Sequence, residues 1–319
     1  MATTETSSSA PVSLSVMICS RNPRPEYLAQ AIKALRNQTI PPSEWEFILV
    51  DNDSTPPIAL DLSWHPNARI VIEKEPGILA ARLRAIAEAS GELLCFFDDD
   101  NAPCPTYLAD CLEISRTHPW LGAWGAAHID GKFEIPVPPW ARPFLHMLAL
   151  RTENGNYWSN MEDWRTIPYT AGMAFRRQIG QGFIQWVDEH KHARLLGRRP
   201  DILLSHEDIA LARMAYEFDL GTGIFERLQL DHYIPARRLE LSYMVKLSEG
   251  FGYSGILSKW INGDNYQPPN KGKLQRVLEI VQSYRKTPEA RACWLASRRG
   301  VQAALKFIEQ QKAAPARAS

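Results

Sequence analysis

Three consecutive carboxylates, Asp98, Asp99 and Asp100, are the residues of this sequence whose types and spacing most favour chemistry. They follow an apolar run, residues 93–97, whose lack of alternation is typical of a strand buried on both faces. Acids crowded at the end of such a strand repel one another, and Mg²⁺ or Mn²⁺ relieves that repulsion because both ions prefer carboxylate oxygens. We therefore interpret the acidic run as a ligand site, with a solvated acidic turn as the alternative.

Two further acidic sites stand at the boundaries of predicted elements. Asp51 follows the apolar run 45–50, where a turn-forming aspartate is the simpler alternative to a binding role. Glu207 and Asp208 open a predicted helix, where a carboxylate is suited to act as a general base. The spacing of Ser205 and Asp208 also fits a capping box, and the local pattern by itself favours that cap.

The elements that must position these acids alternate between strand and helix over the first hundred residues. Such alternation predicts an α/β protein with a parallel, doubly wound sheet, whose strands end at one common edge. Ligands of open α/β sheets bind at that edge, which is where the acids stand. We predict strands at 12–18, 45–50, 69–72 and 93–97, and helices at 25–37, at 77–89 and from after Pro103 to His118.

The second half of the chain has a less regular pattern. Residues 120–165 are rich in Trp, Pro and Gly, which predicts strands and loops over a pocket, although aromatic core packing explains the composition equally well. A strand is predicted at 169–175, and a short one at 228–230 precedes the run Asp231 to Pro235. From Arg237 onward the pattern is helical.

Composition narrows the class of protein. With 319 residues, 45% of them hydrophobic and 23% charged, the chain is typical of a soluble globular protein, and its net charge of zero gives no sign of nucleic-acid binding. Five cysteines without a CxxC pair suggest reduced thiols in a cytoplasmic protein. Residues 1–11 are small and polar, which predicts a disordered leader rather than a signal peptide, and no apolar run is long enough to span a membrane.

The tail from Lys271 is strongly basic. It carries eleven Lys and Arg residues against three Glu, a local charge of plus eight. Leu274, Val277, Leu278 and Val281 stand at helical spacing within it, so the tail could contact anionic lipid at the inner membrane face. A helical cap with a solvated basic face is the simpler explanation.

The order of these pieces resembles the family 2 glycosyltransferases, which have the GT-A fold. The resemblance runs from Val12 to Tyr243 and depends on five motifs in the family's order, any one of which is weak by itself. Asp98 and Asp100 take the two D positions of the DxD signature. The other matching residues are Ser20-Arg21-Asn22-Pro23 with Tyr27-Leu28 and Asn37-Gln38-Thr39, the run 47–54, Gly77 with Ala81-Arg82, and Glu207-Asp208 with Leu211 and Arg213.

The resemblance implies a domain plan. It places a GT-A domain, a Rossmann-like and mostly parallel sheet flanked by helices, at residues 12–243. Within that domain residues 12–118 would form the nucleotide-binding half and residues 119–243 the acceptor-binding half. A helical extension would follow at residues 244–319.

The resemblance also implies an activity, the inverting transfer of a sugar from a nucleotide-sugar donor to a saccharide or lipid-linked acceptor. Among nucleotide-sugar donors, a UDP-sugar is the one expected first. Mg²⁺ or Mn²⁺ would bind Asp100 and Asp98, with His232 as an extra contact. Asp208 would be the general base beside Glu207, which is the other candidate. The implied donor contacts are Ser20, Asn22, Asp51, Arg82, Asp98 and Asp99.

Three other functions are alternatives to sugar transfer. A sugar-phosphate nucleotidyltransferase would need a glycine-rich triphosphate loop after the first strand, and residues 19–25 contain no glycine. A dinucleotide dehydrogenase would need GxGxxG there, which is also absent from those residues. A non-catalytic carbohydrate-binding or scaffold protein with the same fold remains open, although the joint presence of Asp98, Asp100 and Asp208 disfavours it.

Overall fold

The computed structural model describes residues 12–190, 192–197, 203–204, 206–263 and 273–313. Their strands form one mixed sheet in the order β3-β2-β1-β4-β9-β6-β10-β5, with β7 on β6 and β8 on β10. The α/β class predicted from the sequence is confirmed. The strands are β1 (Leu14–Ser20), β2 (Trp45–Asp51), β3 (Ala68–Ile72), β4 (Leu93–Phe97), β5 (Asn101–Pro103), β6 (Leu121–Phe133), β7 (Arg151–Thr152), β8 (Tyr157–Ser159), β9 (Met173–Arg176) and β10 (Gly221–Ile234).

The first four strands pair in parallel, as the alternating sequence predicts. β1 lies between β2 and β4, and the register places Ser20 opposite Asp51. Strands β1, β2 and β4 are buried throughout because helices cover both faces of the sheet. Their carboxyl ends therefore meet at one edge.

The second half of the sheet adds antiparallel pairings that the sequence pattern does not reveal. β9 joins β4 and β6 antiparallel, and β6 then pairs in parallel with β10. The strand predicted at 228–230 is in fact the fourteen-residue β10, which also contains the run Asp231–Ile234 that was expected to follow it. Glycines and partly exposed polar residues weaken the strand pattern of β10, although its position between β6 and β5 fixes it as a strand.

The strand predicted at 169–175 begins only at Met173. Thr170 and Gly172 form a turn before it, in which Gly172 has a φ of 88° and donates its N–H to the Phe96 carbonyl. Tyr107 donates its hydroxyl to the Gly172 carbonyl, so a side chain at position 172 would collide with the Tyr107 ring. The turn brings Thr170 to the edge where β4 ends.

Helices cover the sheet on both faces. The apolar stripes of α1 and α3 pack on one face, and those of α2, α4 and α5 pack on the other. Two 3₁₀ segments, Pro139–Leu148 and Ala236–Leu239, lie before β7 and after β10. The helices are α1 (Pro25–Arg36), α2 (Ile78–Glu88), α3 (Tyr107–Thr117), α4 (Arg177–Glu189), α5 (Glu207–Glu217), α6 (Leu241–Ile261), α7 (Lys273–Ser283) and α8 (Pro288–Ala313).

The last three helices form the helical C-terminal region that the sequence predicts. α6 and α8 cross at glycines, since a Cβ on Gly252 would stand 2.2 Å from the Ser297 carbonyl oxygen and one on Gly300 would stand 2.0 Å from the Glu249 carbonyl oxygen. Among the described helices, none is long and apolar enough to cross a membrane. The predicted leader, residues 1–11, lies outside the described residues, as does Lys271.

Candidate active site

A cavity of about 920 Å³ opens at the edge where the parallel strands end. Ser20 ends β1, Asn52 follows β2 and Asp98 follows β4, and all three line the cavity. Nine of the ten residues predicted for the site line it; Asp51 does not. The nine are Ser20, Asn22, Arg82, Asp98, Asp99, Asp100, Glu207, Asp208 and His232.

The acidic run turns sharply after β4. Asn101 holds the turn, because its amide oxygen accepts the Asp98 N–H at 2.9 Å and its amide nitrogen donates to Asp100 Oδ1 at 3.2 Å. β5 then pairs antiparallel with β10 and sets Asn101 opposite His232. This pairing brings a histidine that lies more than a hundred residues further along the chain next to the acidic run.

Asp100 lies in a buried group of three charged or polar side chains. His232 Nε2 lies 3.3 Å from Asp100 Oδ1, and Arg238 Nη2 lies 3.0 Å from Asp100 Oδ2. Arg238 Nη1 also lies 3.1 Å from His232 Nε2. His232 Nε2 thus lies between a guanidinium and a carboxylate: without a proton it accepts from Arg238, and with a proton it donates to Asp100. Arg238 contacts both side chains and is the counter-charge of the Asp100 carboxylate.

Asp99 lies between the two other acids and is partly buried. Burial raises the pKa of Asp99 to about 7, and the Asp100 carboxylate adds to the rise. The Ser20 hydroxyl donates to Asp99 Oδ2 and partly opposes that rise. The repulsion predicted from the sequence therefore contributes to the raised pKa of Asp99, although burial is the larger cause.

Arg82 on α2 connects the acidic run to the start of α5. Its Nη1 lies 2.7 Å from Glu207 Oε1, and its Nη2 lies 3.3 Å from Asp98 Oδ1. Nη2 also donates to Thr170 Oγ1 at 2.7 Å. Burial disfavours the charge on Arg82, but the carboxylates of Glu207 and Asp98 outweigh it and raise the pKa of the guanidinium. Both terminal nitrogens of Arg82, a predicted donor contact, therefore contact protein groups.

Glu207 and Asp208 are neighbours with different surroundings. Glu207 is buried against Arg82, whereas Asp208 is partly exposed to the cavity and accepts the Ile209 N–H at 2.8 Å. His206 precedes them with a φ of 94°, in the left-handed region, where a non-glycine residue is strained. Ser205, the other member of the predicted capping box, lies outside the described residues.

Asp51 forms a turn after β2. Its two carboxylate oxygens accept the N–H groups of Ser54 and Ile58, each at 2.9 Å. The turn-forming alternative is therefore what the geometry displays, and a contact with the nucleotide base stays a prediction. Asn22, with a φ of 51°, is tied to the same turn because its side-chain oxygen accepts the Thr55 N–H at 2.8 Å.

Sequence reasoning missed three residues of the site: Asn52, Thr170 and Arg238. Asn52 joins the ends of two loops, since its side chain contacts the Glu73 and Glu75 carbonyls and the Gly77 N–H. The basic pair at 237–238, close behind His232, was the available signal for Arg238. Thr170 had no signal, because only the turn before β9 brings it to Arg82.

Comparison with known proteins identifies the family. The family model described as glycosyl transferase family 2 matches residues 15–179, about half of the chain. The chain belongs to glycosyltransferase family 2. The family that the sequence motifs indicated is therefore confirmed.

One curated relative of this family 2 chain is the glycosyltransferase AglE of Haloferax volcanii, which is 38% identical over 118 residues. That match covers 35% of this chain and only 37% of the relative. Among solved structures, the mannosyltransferase PcManGT of Pyrobaculum calidifontis has a TM-score of 0.52 at 17% identity, covering 96% of this chain and 82% of that one. S. aureus TarS has a TM-score of 0.46 at 13% identity, and the match covers 94% of this chain and 92% of the TarS chain. The mannosyltransferase match shows a shared fold and bears out the predicted GT-A class.

Proposed function

We propose that the protein transfers a sugar from a nucleotide-sugar donor to a saccharide or lipid-linked acceptor, with inversion at the anomeric carbon. The observation that carries this proposal is the Arg82 bridge, which joins Asp98 to Glu207 and so sets the acidic run beside Asp208 on one cavity. A transferase must hold the donor diphosphate and the acceptor hydroxyl close together. Here the acidic run would serve the diphosphate, and Asp208 would serve the hydroxyl.

The donor class has support from a protein of the same fold. The P. calidifontis mannosyltransferase is described in complex with GDP-Man and Mn²⁺. A UDP-sugar is the donor that we propose for this chain, as the family resemblance suggests. Titration with different nucleoside diphosphates tests which nucleotide base the protein binds. Ser20, Asn22, Asp51 and Asp99 are the proposed contacts to the donor's nucleoside and diphosphate, beside Asp98.

The residues present fit a divalent metal ion. Asp100 Oδ1 lies 3.3 Å from His232 Nε2, and a carboxylate oxygen is the ligand that Mg²⁺ and Mn²⁺ prefer. The His232 imidazole, in the tautomer with Nε2 unprotonated, would be an additional nitrogen ligand. The described part of the chain contains no group of three such side chains, so diphosphate oxygens and water would complete the shell. Asp100 and His232 would hold the ion, which when bound would neutralise the charge of the leaving diphosphate. Asp98, the other acid of the DxD motif, stays a predicted ligand and is paired with Arg82 in the structure.

Asp208 is the proposed general base. Its carboxylate accepts the proton of the acceptor hydroxyl while the acceptor oxygen bonds to the anomeric carbon from the face opposite the leaving group. The bond between that carbon and the donor's diphosphate oxygen breaks, and the diphosphate takes its electron pair. Glu207 is a positioning residue in this scheme, because its contact with Arg82 orients the first turn of α5.

The acceptor half of the cavity is proposed to lie in residues 119–243. Trp164 lines the cavity with 57% of its surface exposed, which suits stacking on a sugar ring. The loop that bears Trp164 is attached to α5, because Arg213 Nη1 lies 3.1 Å from Glu162 Oε1. Asp208 and Trp164 are thus held on connected elements.

Calorimetric titration of UDP, GDP and TDP, each with and without Mn²⁺, tests this proposal. We expect one nucleotide to bind in a metal-dependent way and Asp100→Asn to weaken that binding by at least about tenfold. Asp130→Asn is the matched control, because Asp130 is exposed and lies outside the cavity lining. If the folded protein binds none of the three, the account of the donor site is wrong. Donor binding without any transfer or hydrolysis would instead support a non-catalytic GT-A binding protein.

A further inference from the structure

In the second half of the helix α7, residues 278–283, apolar side chains are exposed while polar side chains contact the protein. Four large apolar residues near its end are exposed: Leu278 by 49%, Ile280 by 43%, Val281 by 58% and Tyr284, just beyond it, by 66%. An amphipathic helix of a globular protein normally turns such residues toward the core. Here they form a contiguous apolar face that the described protein leaves uncovered.

The polar side of α7 is the side that packs on the protein. Glu279 Oε2 lies 2.7 Å from Arg298 Nη1 of α8, and the buried Ser283 hydroxyl accepts from Arg291 Nε at 3.3 Å. These polar contacts fix which side of the helix faces α8. The exposure of the apolar side is therefore built into the packing of α7.

Basic residues follow the apolar face, and the sequence around it is rich in positive charge. Residues 271–291 contain six Lys or Arg residues against two Glu, in a chain whose net charge is zero. Arg285 and Lys286 are exposed directly after the helix, and the Arg291 guanidinium lies 3.5 Å from the centre of the Tyr284 ring. An apolar helix face with flanking basic residues and an aromatic ring matches the chemistry of an anionic lipid surface.

We propose that the α7 surface, defined as Leu278, Ile280, Val281, Tyr284, Arg285 and Lys286, docks on a membrane that contains anionic lipids. The contact is peripheral, because no described helix can span a bilayer. The apolar residues enter the interface between headgroups and acyl chains, and the two basic residues pair with lipid phosphates. A simple solvated cap on the fold would not need four exposed apolar side chains.

Docking at this surface also constrains the cavity. α7 is tied to α8, α8 crosses α6 at Gly252 and Gly300, and Tyr243 and Phe251 of α6 line the cavity. A docked α7 therefore holds the cavity at a fixed orientation to the bilayer, which favours an acceptor carried by a lipid. Only this last step rests on the proposed function; the docking itself does not.

Vesicle flotation of the full chain tests the docking. The vesicles are phosphatidylcholine alone, and phosphatidylcholine with about 30% phosphatidylglycerol, at about 0.1 M and about 0.5 M salt. We expect binding to the anionic vesicles at low salt and a loss of roughly tenfold or more at high salt or with phosphatidylcholine alone. If the bound fraction is the same for both vesicle compositions and at both salt concentrations, the proposal is wrong.

Variants of the α7 surface separate its two parts. The triple variant I280Q/V281Q/Y284Q and the double variant R285Q/K286Q should each lower the bound fraction by roughly tenfold or more. Glutamine is a good helix former and all these side chains are exposed, so circular dichroism and melting should stay unchanged. Matched controls are M161Q, which changes another exposed apolar residue, and K33Q/K74Q, which removes two exposed charges elsewhere.

The remaining outcomes show whether a lipid membrane or another protein chain binds the α7 surface. If wild-type protein binds no vesicle, or the triple variant binds as well as wild type, the proposal is wrong. If light scattering instead shows an oligomer that the triple variant dissociates, the α7 surface is an interface between protein chains and the lipid proposal is likewise overturned. Vesicle binding is measured without added nucleotide and does not depend on enzyme activity. It can therefore be observed even if the transferase proposal is wrong.

Discussion

At the scale of single residues, two neighbours on one helical turn have different tasks. Glu207 is buried against Arg82, while Asp208 is open to the cavity. A base must reach the acceptor hydroxyl, and a carboxylate held in a buried ion pair is not available for that. The surroundings of the two acids therefore favour Asp208 as the base, a choice that the sequence left open.

Asp208→Asn should lower donor turnover by roughly 10²–10⁴-fold, the usual contribution of a general base, since an amide cannot take a proton. Nucleotide affinity should change little, because Asp208 is not among the proposed diphosphate contacts. Glu217→Gln, an exposed change at the other end of α5, is the control. Steady-state turnover and calorimetry together check this, and full turnover by the Asn variant would refute the assignment.

His65 makes stability depend on pH. It is buried against Trp45 and Trp64, with ring centres 4.2 and 5.1 Å away, and burial lowers the pKa of His65 to about 4. The unfolded chain therefore binds more protons than the folded one between about pH 4 and the ordinary histidine pKa of 6.5. The contribution of His65 to stability is present above that range and is lost as the pH falls through it.

Urea unfolding at about pH 7 and about pH 4.5 measures this effect. We expect the fall in unfolding free energy to be smaller in His65→Gln than in wild type, by roughly 1–2 kcal/mol. His146→Gln, at an exposed histidine, is the control. An equal fall in wild type and His65→Gln would show that burial of this imidazole is not the cause.

At the scale of elements, one side chain joins three of them. Arg82 of α2 contacts Asp98 after β4 and Glu207 at the start of α5. Arg82→Ala leaves Glu207 buried without this counter-charge, so we expect a loss of about 3 kcal/mol or more of stability. Urea denaturation at neutral pH measures the change.

Arg84 provides the matched control on the same helix. It is 44% exposed and pairs with Glu88 one turn away, so Arg84→Ala should cost less than about 0.5 kcal/mol. Similar losses for the two alanine variants would mean that the bridge between α2, β4 and α5 does not stabilise the fold. Nucleotide binding by Arg82→Ala should also weaken, because Asp98 loses its nearest cation.

At the scale of the whole molecule, the C-terminal helices connect to the site through the crossing of α6 and α8. Gly300→Ala would place a Cβ 2.0 Å from the Glu249 carbonyl oxygen, which is backbone and cannot move aside. We expect a loss of about 1–3 kcal/mol and earlier proteolysis of α8. Gly255→Ala, whose Cβ would meet only His206 Nε2 at 3.8 Å, should be neutral or stabilising by up to about 1 kcal/mol. Equal melting temperatures for the two variants would contradict this packing.

The sequence by itself determined the parallel half of the sheet and the acids at its edge. Strands β1 to β4 are short apolar runs separated by helices with clear periodicity, and each run ends near its predicted limit because a buried parallel strand must stop where polar residues begin. The site residues that directly follow these strands, such as Ser20 at the end of β1 and Asp98 after β4, line the cavity for the same reason. The family motifs added the pairing of the acidic run with Glu207-Asp208.

Only the tertiary structure decided how distant segments meet. Sequence periodicity reports which face of an element is buried, but not which segment lies against it. The β5–β10 pairing sets His232 beside Asp100, the turn before β9 delivers Thr170 to Arg82, and a 3₁₀ segment brings Arg238 to the acids. The sequence left open whether the apolar residues of α7 face a lipid surface or belong to a helical cap on the fold, and the exposure of Leu278 and Val281 beside the polar contacts with α8 is seen only in the tertiary structure.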